Sequence, residues 1–294
     1  MKQRSAEILL ASVIVARATS LLFSRLSMRS LGPFTLMGLR FTLAFAVLLL
    51  LFWKRFRGIR LATVARGFAL GGTFFAVMTA ELYGLRATDS STTSFLENTA
   101  VVWVPLLAAA LHRQRPSGKT LLSAGVTLAG VALLTLGKSS FHLGLGELLC
   151  LLASVLYACA ILLTAKLSRE DDPLVLGILQ VGFLGLLGVA GAFLFETPRL
   201  PQGGAEWGMI LALALVCSCF GFTLQPVAQR YVSAERAGTF CALNPLTAAV
   251  LGAVFLRERL GAAGVVGAAL ILTGILIQNR GERQRRPKLA RAGT

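Results

Sequence analysis

The chain repeats its own pattern across a shift of about half its length, and both copies are largely apolar. Pro33 is followed seven residues later by Arg40 inside an apolar run, and Pro173 is followed at the same distance by Gln180, a shift of 140. A second match, at a shift of 144, joins two runs that end in basic residues: 101–115 and 245–259. Internal duplication in a chain of membrane spans is typical of transporters, whose binding site lies between the repeats.

The apolar runs predict the number and direction of the helices. A helix that crosses the bilayer needs ~20 residues. The runs of this length are 8–26, 34–53, 67–85, 92–111, 120–137, 148–165, 174–195, 208–229, 237–256 and 261–279. Each half holds five, and because five is odd, the halves enter the membrane in opposite directions. The predicted fold class is therefore an all-α integral membrane protein, with ten transmembrane helices as two inverted five-helix repeats.

We expect three segments along the chain: a first repeat over 5–138, a second over 144–280 and a basic cytoplasmic tail over 281–294. Only 14% of the residues are charged and 55% are hydrophobic, whereas a soluble protein has about a quarter charged residues. The net charge of +16 does not indicate nucleic-acid binding, because the basic residues lie in short connections and the tail. With two histidines, a histidine-rich metal site is excluded, and no cofactor is predicted.

The positions of the basic residues predict the orientation. If both termini are cytoplasmic, that side holds 20 of the 29 lysines and arginines, and the opposite side holds 7. Cytoplasmic connections are enriched in Lys and Arg. The sequence thus predicts a multi-pass protein of the cell (inner) membrane with both termini in the cytoplasm.

Short motifs recur in the same order in both halves. Pro33 precedes Arg40 in the second span, Asn244-Pro245 begins the ninth, and Glu258 follows its end. These residues resemble the EamA-type family of the drug/metabolite transporter superfamily. The resemblance implies ten helices in two repeats, export of amino acids, other metabolites or drugs, and structural or coupling roles for Pro33, Arg40, Pro245 and Glu258.

The first half departs from the family pattern at three positions. Val101 stands where the family has proline, Gln114 replaces the expected glutamate, and Arg17 occupies a position where many members have tryptophan. The resemblance therefore does not identify one solute for this chain.

Four ionisable residues lie within the predicted spans: Arg17, Arg40, Glu81 and Glu97. Each costs roughly 2.5–3.5 kcal/mol to insert into hydrocarbon, so we expect them to face the bundle interior and to be paired. One interpretation of Arg40 is structural, as an ion pair with Glu81 or Glu97. Arg17, near mid-membrane, is predicted to contact the solute or a coupling ion. Glu97 is the candidate for reversible protonation, which makes protons a hypothetical coupling ion.

The second half supplies neutral polar groups instead, and several prolines free backbone carbonyls beside them. Gln225 is the repeat partner of Glu81 at the 144 shift and precedes Pro226. The predicted solute-binding residues are Arg17, Glu81, Glu97, Asn98, Trp103, Tyr157, Gln225 and Asn244. For Trp103, packing between helices is the alternative role.

These observations predict a transporter, most simply an exporter of small amino-acid-like or amphipathic metabolites that works by alternating access. A flippase for lipids or lipid-linked sugars is the alternative, and it predicts a lateral opening between helices. An enzyme is not predicted, because the spans contain no nucleophile–base pair. Asp171-Asp172 is expected to form a turn. The oligomeric state stays open between a monomer and a homodimer.

Overall fold

The structure is a computed structural model that describes residues 1, 3–113, 115–135, 144–255 and 261–291, with side-chain surroundings described up to 250 and over 261–278. Within these residues the chain is helical. We name the helices of the first half α1 (Gln3–Ser27), α2 (Pro33–Phe56), α3 (Leu61–Ala87), α4 (Ser90–His112) and α5 (Gly118–Thr135). The second half contains α6 (Leu145–Glu170), α7 (Pro173–Phe195), α8 (Gly203–Gln229), α9 (Ala234–Phe240 and Leu243–Phe255) and α10 (Ala262–Arg291).

The helices α1 to α8 are long and apolar enough to cross a membrane. The apolar part of α10, Ala262–Gln278, is shorter. Side chains such as Leu50, Phe193 and Leu194 are largely exposed on the outside of the bundle. An exposed apolar surface of this kind suits a bilayer. The predicted all-α membrane fold is confirmed, and the helix bounds lie close to the predicted spans except in α10, which continues to Arg291 beyond the predicted span 261–279. Glu258 and Gln114 lie outside the described residues.

Helices at equivalent places in the two halves pack antiparallel. Gly188 of α7 faces Gly38 of α2, whereas Gly191 faces Phe34, nearer the start of α2. In α5 and α10, Ser123 Oγ donates a hydrogen bond of 2.8 Å to the carbonyl of Gly274. A Cβ atom on Gly130 would approach the carbonyl of Gly267 to 2.7 Å in the same pair of helices. Small residues allow this close approach, and antiparallel equivalent helices are what an inverted repeat requires.

Pro33 and Pro173 each occupy the first turn of a helix, where proline costs no hydrogen bond. Glu196, directly after α7, accepts hydrogen bonds of 2.9 Å from the backbone N–H groups of Phe34 and Thr35 at the start of α2. A carboxylate at a helix N-terminus satisfies the free N–H groups and the positive end of the helix dipole. Pro33 thus begins the helix whose N-terminus Glu196 caps.

The bundle has two ends, which we name by the helices that begin there. At the first end α1 and α9 begin, and at the second end α4 and α10 begin. Because consecutive helices alternate in direction, Asp171 after α6 lies at the first end, close to the start of α3. Asp171 accepts hydrogen bonds from Arg66 at 2.7 Å and Thr63 at 2.8 Å. The predicted turn is thus also an ion-pair contact between the two halves.

Candidate functional site

A cavity of about 820 Å³ lies between the two halves. It extends from the middle of the bundle to the second end, where Ser90, Thr135 and Gly261 line it. Its walls are mostly apolar and include Val77 and Met78, and its lining polar residues come from α1, α3, α4, α5, α6 and α9. Among the described residues, none at the first end lines it. Ligand cavities generally combine an apolar wall with a few polar groups that fix the orientation of the ligand.

The deepest part of the cavity is built where helices are irregular. The α1 helix breaks at Thr19, two residues after Arg17, and α4 breaks at Thr99, two residues after Glu97. In α9 the two pieces meet at 241–242, and α8 has a wide π-helical stretch over Leu213–Phe222. Broken helices and π-helical turns often occur at binding sites, because the irregular backbone leaves polar groups free. Functional side chains here lie beside such interruptions.

Arg17 is the centre of the polar contacts. Its Nη1 donates a hydrogen bond of 3.0 Å to Tyr157 Oη and another to Gln225 Oε1. Its guanidinium carbon lies 4.1 Å from the centre of the Phe222 ring, an attractive cation–π contact. Gly221 makes room for this arrangement, since a Cβ atom there would lie 2.6 Å from Arg17 Cγ. The first half thus supplies the cation and the second half holds it in place.

The two carboxylates also line the cavity, but neither is paired in the way that the sequence suggested. Glu81 is within electrostatic range of both Arg17 and Arg40, and Glu97 is within range of Glu81 and Arg17. No ion pair joins either carboxylate to a basic residue within the described part of the chain. Glu97 Oε1 is buried and has no hydrogen-bond partner there. The carboxylates therefore face the cavity, and Glu97 Oε1 can still accept a hydrogen bond there.

No ion pair joins Arg40 to Glu81 or Glu97 among the described residues, in contrast to the predicted pairing. Arg40 is fully buried, and its Nη1 donates to Ser20 Oγ at 3.1 Å and to Ser24 Oγ at 3.4 Å, both on α1. Its guanidinium carbon lies 4.4 Å from the ring centre of Phe41 and 5.9 Å from that of Phe222. Hydroxyl groups and aromatic faces thus replace a carboxylate as its neighbours. This arrangement ties α2 to α1 and supports a structural role for Arg40.

The structure brings most of the predicted solute-binding residues to one place. The cavity lining includes Arg17, Glu81, Glu97, Asn98, Tyr157, Asn244 and also Pro245. Gln225 is buried behind the lining and reaches it through Arg17. Trp103 is the exception, because it lies outside the lining with 37% of its surface exposed. Its helix, α4, turns this side chain to the outside of the bundle, so the prediction of a solute contact for Trp103 is wrong.

Sequence reasoning missed two residues of the site, Phe222 and Cys241. Cys241 Sγ donates a hydrogen bond of 3.5 Å to Tyr157 Oη. Both residues line the cavity, and at the 144 shift they are the partners of Met78 and Glu97, which line it too. A systematic comparison of the two halves could have found them, since equivalent positions meet around the same cavity.

A buried ion pair closes the first end. Arg236 of α9 is 1% exposed and pairs with Glu7 of α1. The sequence suggested only that Arg236 lies in a connection, because nothing in the pattern reveals that its side chain turns inward. A pair between two charges in a dry environment is stable only when its geometry satisfies both partners. The contact links the two halves at the end of the bundle that the cavity does not reach.

Comparisons with known proteins agree with this architecture. The model of the EamA-like transporter family matches residues 4–136 and 144–280. The chain is similar to "Uncharacterized transporter YetK" of Bacillus subtilis (strain 168), at 26% identity over 293 residues that cover 94% of this chain and 87% of the relative. A protein of Archaeoglobus fulgidus named "Uncharacterized transporter" is 24% identical over 290 residues, covering 94% of this chain and 98% of the relative.

A solved structure described as "Crystal structure of protein" has the same fold. Its TM-score is 0.80 at 19% identity, and the alignment covers 96% of this chain and 99% of that one. The same family model matches each half of the sequence, and a membrane-length helical bundle encloses a cavity between those halves. The chain therefore belongs to the EamA-like transporter family, and it is a multi-pass membrane transporter for small-molecule solutes.

Proposed function

We propose that this transporter exports small amino-acid-like or amphipathic solutes by alternating access between two inverted repeats. The observation that carries the proposal is the cavity, which reaches the second end and ends near Arg17. The Glu7–Arg236 ion pair lies at the other end. Alternating access requires a binding site that is open to one side at a time, and one accessible end opposite a packed one suits such a state. The first-half repeat is proposed over 5–138, the second over 144–280.

The proposed orientation places the first end, with both termini and the tail 281–294, in the cytoplasm of a cell whose inner membrane holds the protein. The first end of the bundle holds Arg55, Arg60 and Arg66, as the positive-inside rule expects. A reporter fused to the C-terminus, active only in the cytoplasm, tests this orientation. Activity is expected, and an inactive fusion at normal expression would reverse the proposed direction.

Transport itself is tested in two steps. Cells that overproduce the chain are screened for new tolerance to toxic amino acids, purines and amphiphilic drugs. The purified protein is then reconstituted into vesicles, and counterflow of each protective solute is measured with radiolabel. We expect accumulation that exceeds that of empty vesicles, and absence of any counterflow for every protective solute would contradict the proposal.

Protons are the proposed coupling ion, and Glu97 is the proposed site of protonation. The buried Oε1 of Glu97 has no hydrogen-bond partner among the described residues and lies within electrostatic range of Glu81 and Arg17. One proton bound there changes the net charge of this group of three side chains. Transport in vesicles with and without a pH gradient tests the coupling. An unchanged rate would leave the exporter without proton coupling.

A flippase for lipids or lipid-linked sugars is the alternative function, and one observation favours it. Leu22 and Leu133 line the cavity and yet are 53% and 41% exposed among the described residues. Apolar side chains that belong to both the cavity and the outer surface would suit entry from the bilayer. Measuring the movement of a fluorescent phospholipid in the same vesicles separates the two functions, because only a flippase moves it.

A further inference from the structure

The unsatisfied polar atoms of the cavity share one chemical property, which is that they accept hydrogen bonds. Glu97 Oε1, Asn98 Oδ1 and Asn244 Oδ1 are buried and have no partner among the described residues. All three residues line the cavity, together with Glu81. Leaving a buried acceptor unpaired is costly, so such atoms usually indicate a ligand, a proton or water.

Asn98 is the most informative of these residues. It is only 4% exposed, and its Nδ2 already donates to the carbonyl of Ser94 at 2.7 Å. This bond assigns the amide orientation, because the amide nitrogen faces a carbonyl that can only accept. The oxygen therefore stays available as an acceptor in the same cavity lining as Glu97.

The cation that lines the cavity forms no ion pair with these carboxylates within the described part of the chain. Arg17 is held by Tyr157 and Gln225 of the second half and covered by the Phe222 ring. Arg40 balances the second carboxylate in formal charge, but it is fully buried outside the lining, so the lining itself presents two carboxylates and one guanidinium. A solute that brings donors and a positive charge would offset both the unpaired acceptors and the like-charge repulsion between Glu81 and Glu97.

Given the proposed transport function, we infer that the solute carries a protonated amine, which binds in a subsite formed by Glu81, Glu97 and Asn98. An ammonium group has three donors and no acceptor, which matches a set of acceptors. The apolar body of the solute lies along Val77, Met78 and Phe222, the apolar lining beside the subsite. A carboxylate on the solute is not required for binding.

Four probes with the same phenyl group separate this inference from its alternatives: 2-phenylethylamine, phenylalanine, 2-phenylethanol and 3-phenylpropionate. Binding of each to the purified full-length protein in detergent is measured by titration calorimetry at neutral pH. The two probes with an amine are expected to bind, at least about tenfold more tightly than the alcohol or the acid. Equal or tighter binding of the acid, or binding of none of the four, overturns the inference.

Variants locate the subsite. Glu97→Gln keeps the size of the side chain and removes its charge, so amine binding is expected to weaken about tenfold. Glu170→Gln, an exposed substitution at the first end, is the matched control and should leave the affinity unchanged. Melting temperatures confirm that both variants are folded. If Glu81→Gln, Glu97→Gln and Asn98→Ala all bind the amine as the parent protein does, the subsite is elsewhere.

Binding in detergent does not depend on transport, so the two proposals fail in different ways. Amine binding without counterflow in vesicles would keep the subsite and contradict the exporter. Counterflow of a solute that has no amine, with no binding of the two amines, would keep the exporter and overturn the subsite.

Discussion

The two halves of the chain place different chemistry at equivalent positions around one cavity. The equivalent pairs are Arg17 with Tyr157, Glu81 with Gln225, and Glu97 with Cys241. In each pair the first-half residue has an ionisable, charged type of side chain and is partly exposed, whereas the second-half residue has a neutral side chain and is buried. Duplication therefore preserved the geometry while the two copies diverged in charge. The first half presents charges to the cavity, and the second half holds the Arg17 cation with neutral hydrogen-bonding groups.

The most severe test of this comparison removes the cation. Arg17→Ala deletes the donor to Tyr157 Oη and Gln225 Oε1. Two hydrogen bonds from a charged group contribute roughly 1.5–3 kcal/mol each, and 1.4 kcal/mol is a factor of ten. Solute counterflow in vesicles is expected to fall about 100-fold. Arg86→Ala, an exposed arginine at the end of α3, is the control. Normal transport by Arg17→Ala would show that the cation is not part of the solute pathway.

The ends of α1 and α6 allow a second comparison, of stability. Glu7 and Glu147 are equivalent at the 140 shift, yet Glu7 pairs with the buried Arg236 whereas Glu147 accepts hydrogen bonds from Thr88 and the Gly144 backbone. Removing one partner of a buried ion pair costs about 3–5 kcal/mol. A hydrogen bond to a carboxylate contributes roughly 1.5–3 kcal/mol and a neutral one about 1 kcal/mol, so replacing the Glu147 carboxylate with an amide that still accepts a bond costs about 1 kcal/mol.

Unfolding free energies in detergent should therefore fall by about 3 kcal/mol for Glu7→Gln and by about 1 kcal/mol for Glu147→Gln. Denaturant titration followed by tryptophan fluorescence measures both. Equal losses would indicate that the ion pair at the first end contributes no more than the hydrogen bonds at the second end.

How far the sequence predicts this molecule differs between the fold and the site. Hydropathy and repeat length predict the helices closely, because a bilayer fixes the length and polarity of each span. Counting residues from the ends of the predicted spans gives the depth of Arg17, Glu81 and Glu97 in the membrane, and all three line the cavity. The contacts of Arg40 and the outward position of Trp103 do not follow, since they depend on the rotation of each helix about its axis. Helix breaks, such as the one at Thr19, alter that rotation and leave no clear pattern in the sequence.

A third test measures how much the hydrogen bond between Arg17 and Tyr157 of the second half contributes to transport. Tyr157→Phe keeps the ring, which packs against Phe74 with centres 6.1 Å apart, and removes only the hydroxyl that accepts from Arg17. Losing one of the two Arg17 contacts should reduce transport about tenfold, less than Arg17→Ala. Phe74→Leu, which leaves the hydroxyl in place, is the control for ring packing. A loss by Tyr157→Phe as large as that by Arg17→Ala would make Tyr157 a solute contact in its own right.

The smallest expected effect lies at the connection before the second helix of each half. Here the charged residue belongs to the second half and the neutral one to the first half, the reverse of the pattern around the cavity. The second half has Asp171 there, whereas the first half has Leu31. Burial alone would raise the pKa of Asp171, but hydrogen bonds from Arg66 and Thr63 outweigh it and hold the pKa below its ordinary value of 3.8. A carboxylate whose pKa is lower in the folded state stabilises the fold above its unfolded pKa, and this contribution disappears as the pH falls through the folded value.

Asp171→Asn should therefore lower the melting temperature at neutral pH and flatten its decline as the pH falls below the ordinary pKa of 3.8. The loss of stability is expected to be smaller than for Glu7→Gln, because Arg66 is partly exposed and water screens its charge. Asp89→Asn is the control, since Asp89 is 71% exposed and lies 3.8 Å from its arginine. If the melting temperature of Asp171→Asn falls with pH in parallel with that of the parent protein, the ionised carboxylate of Asp171 does not stabilise the fold.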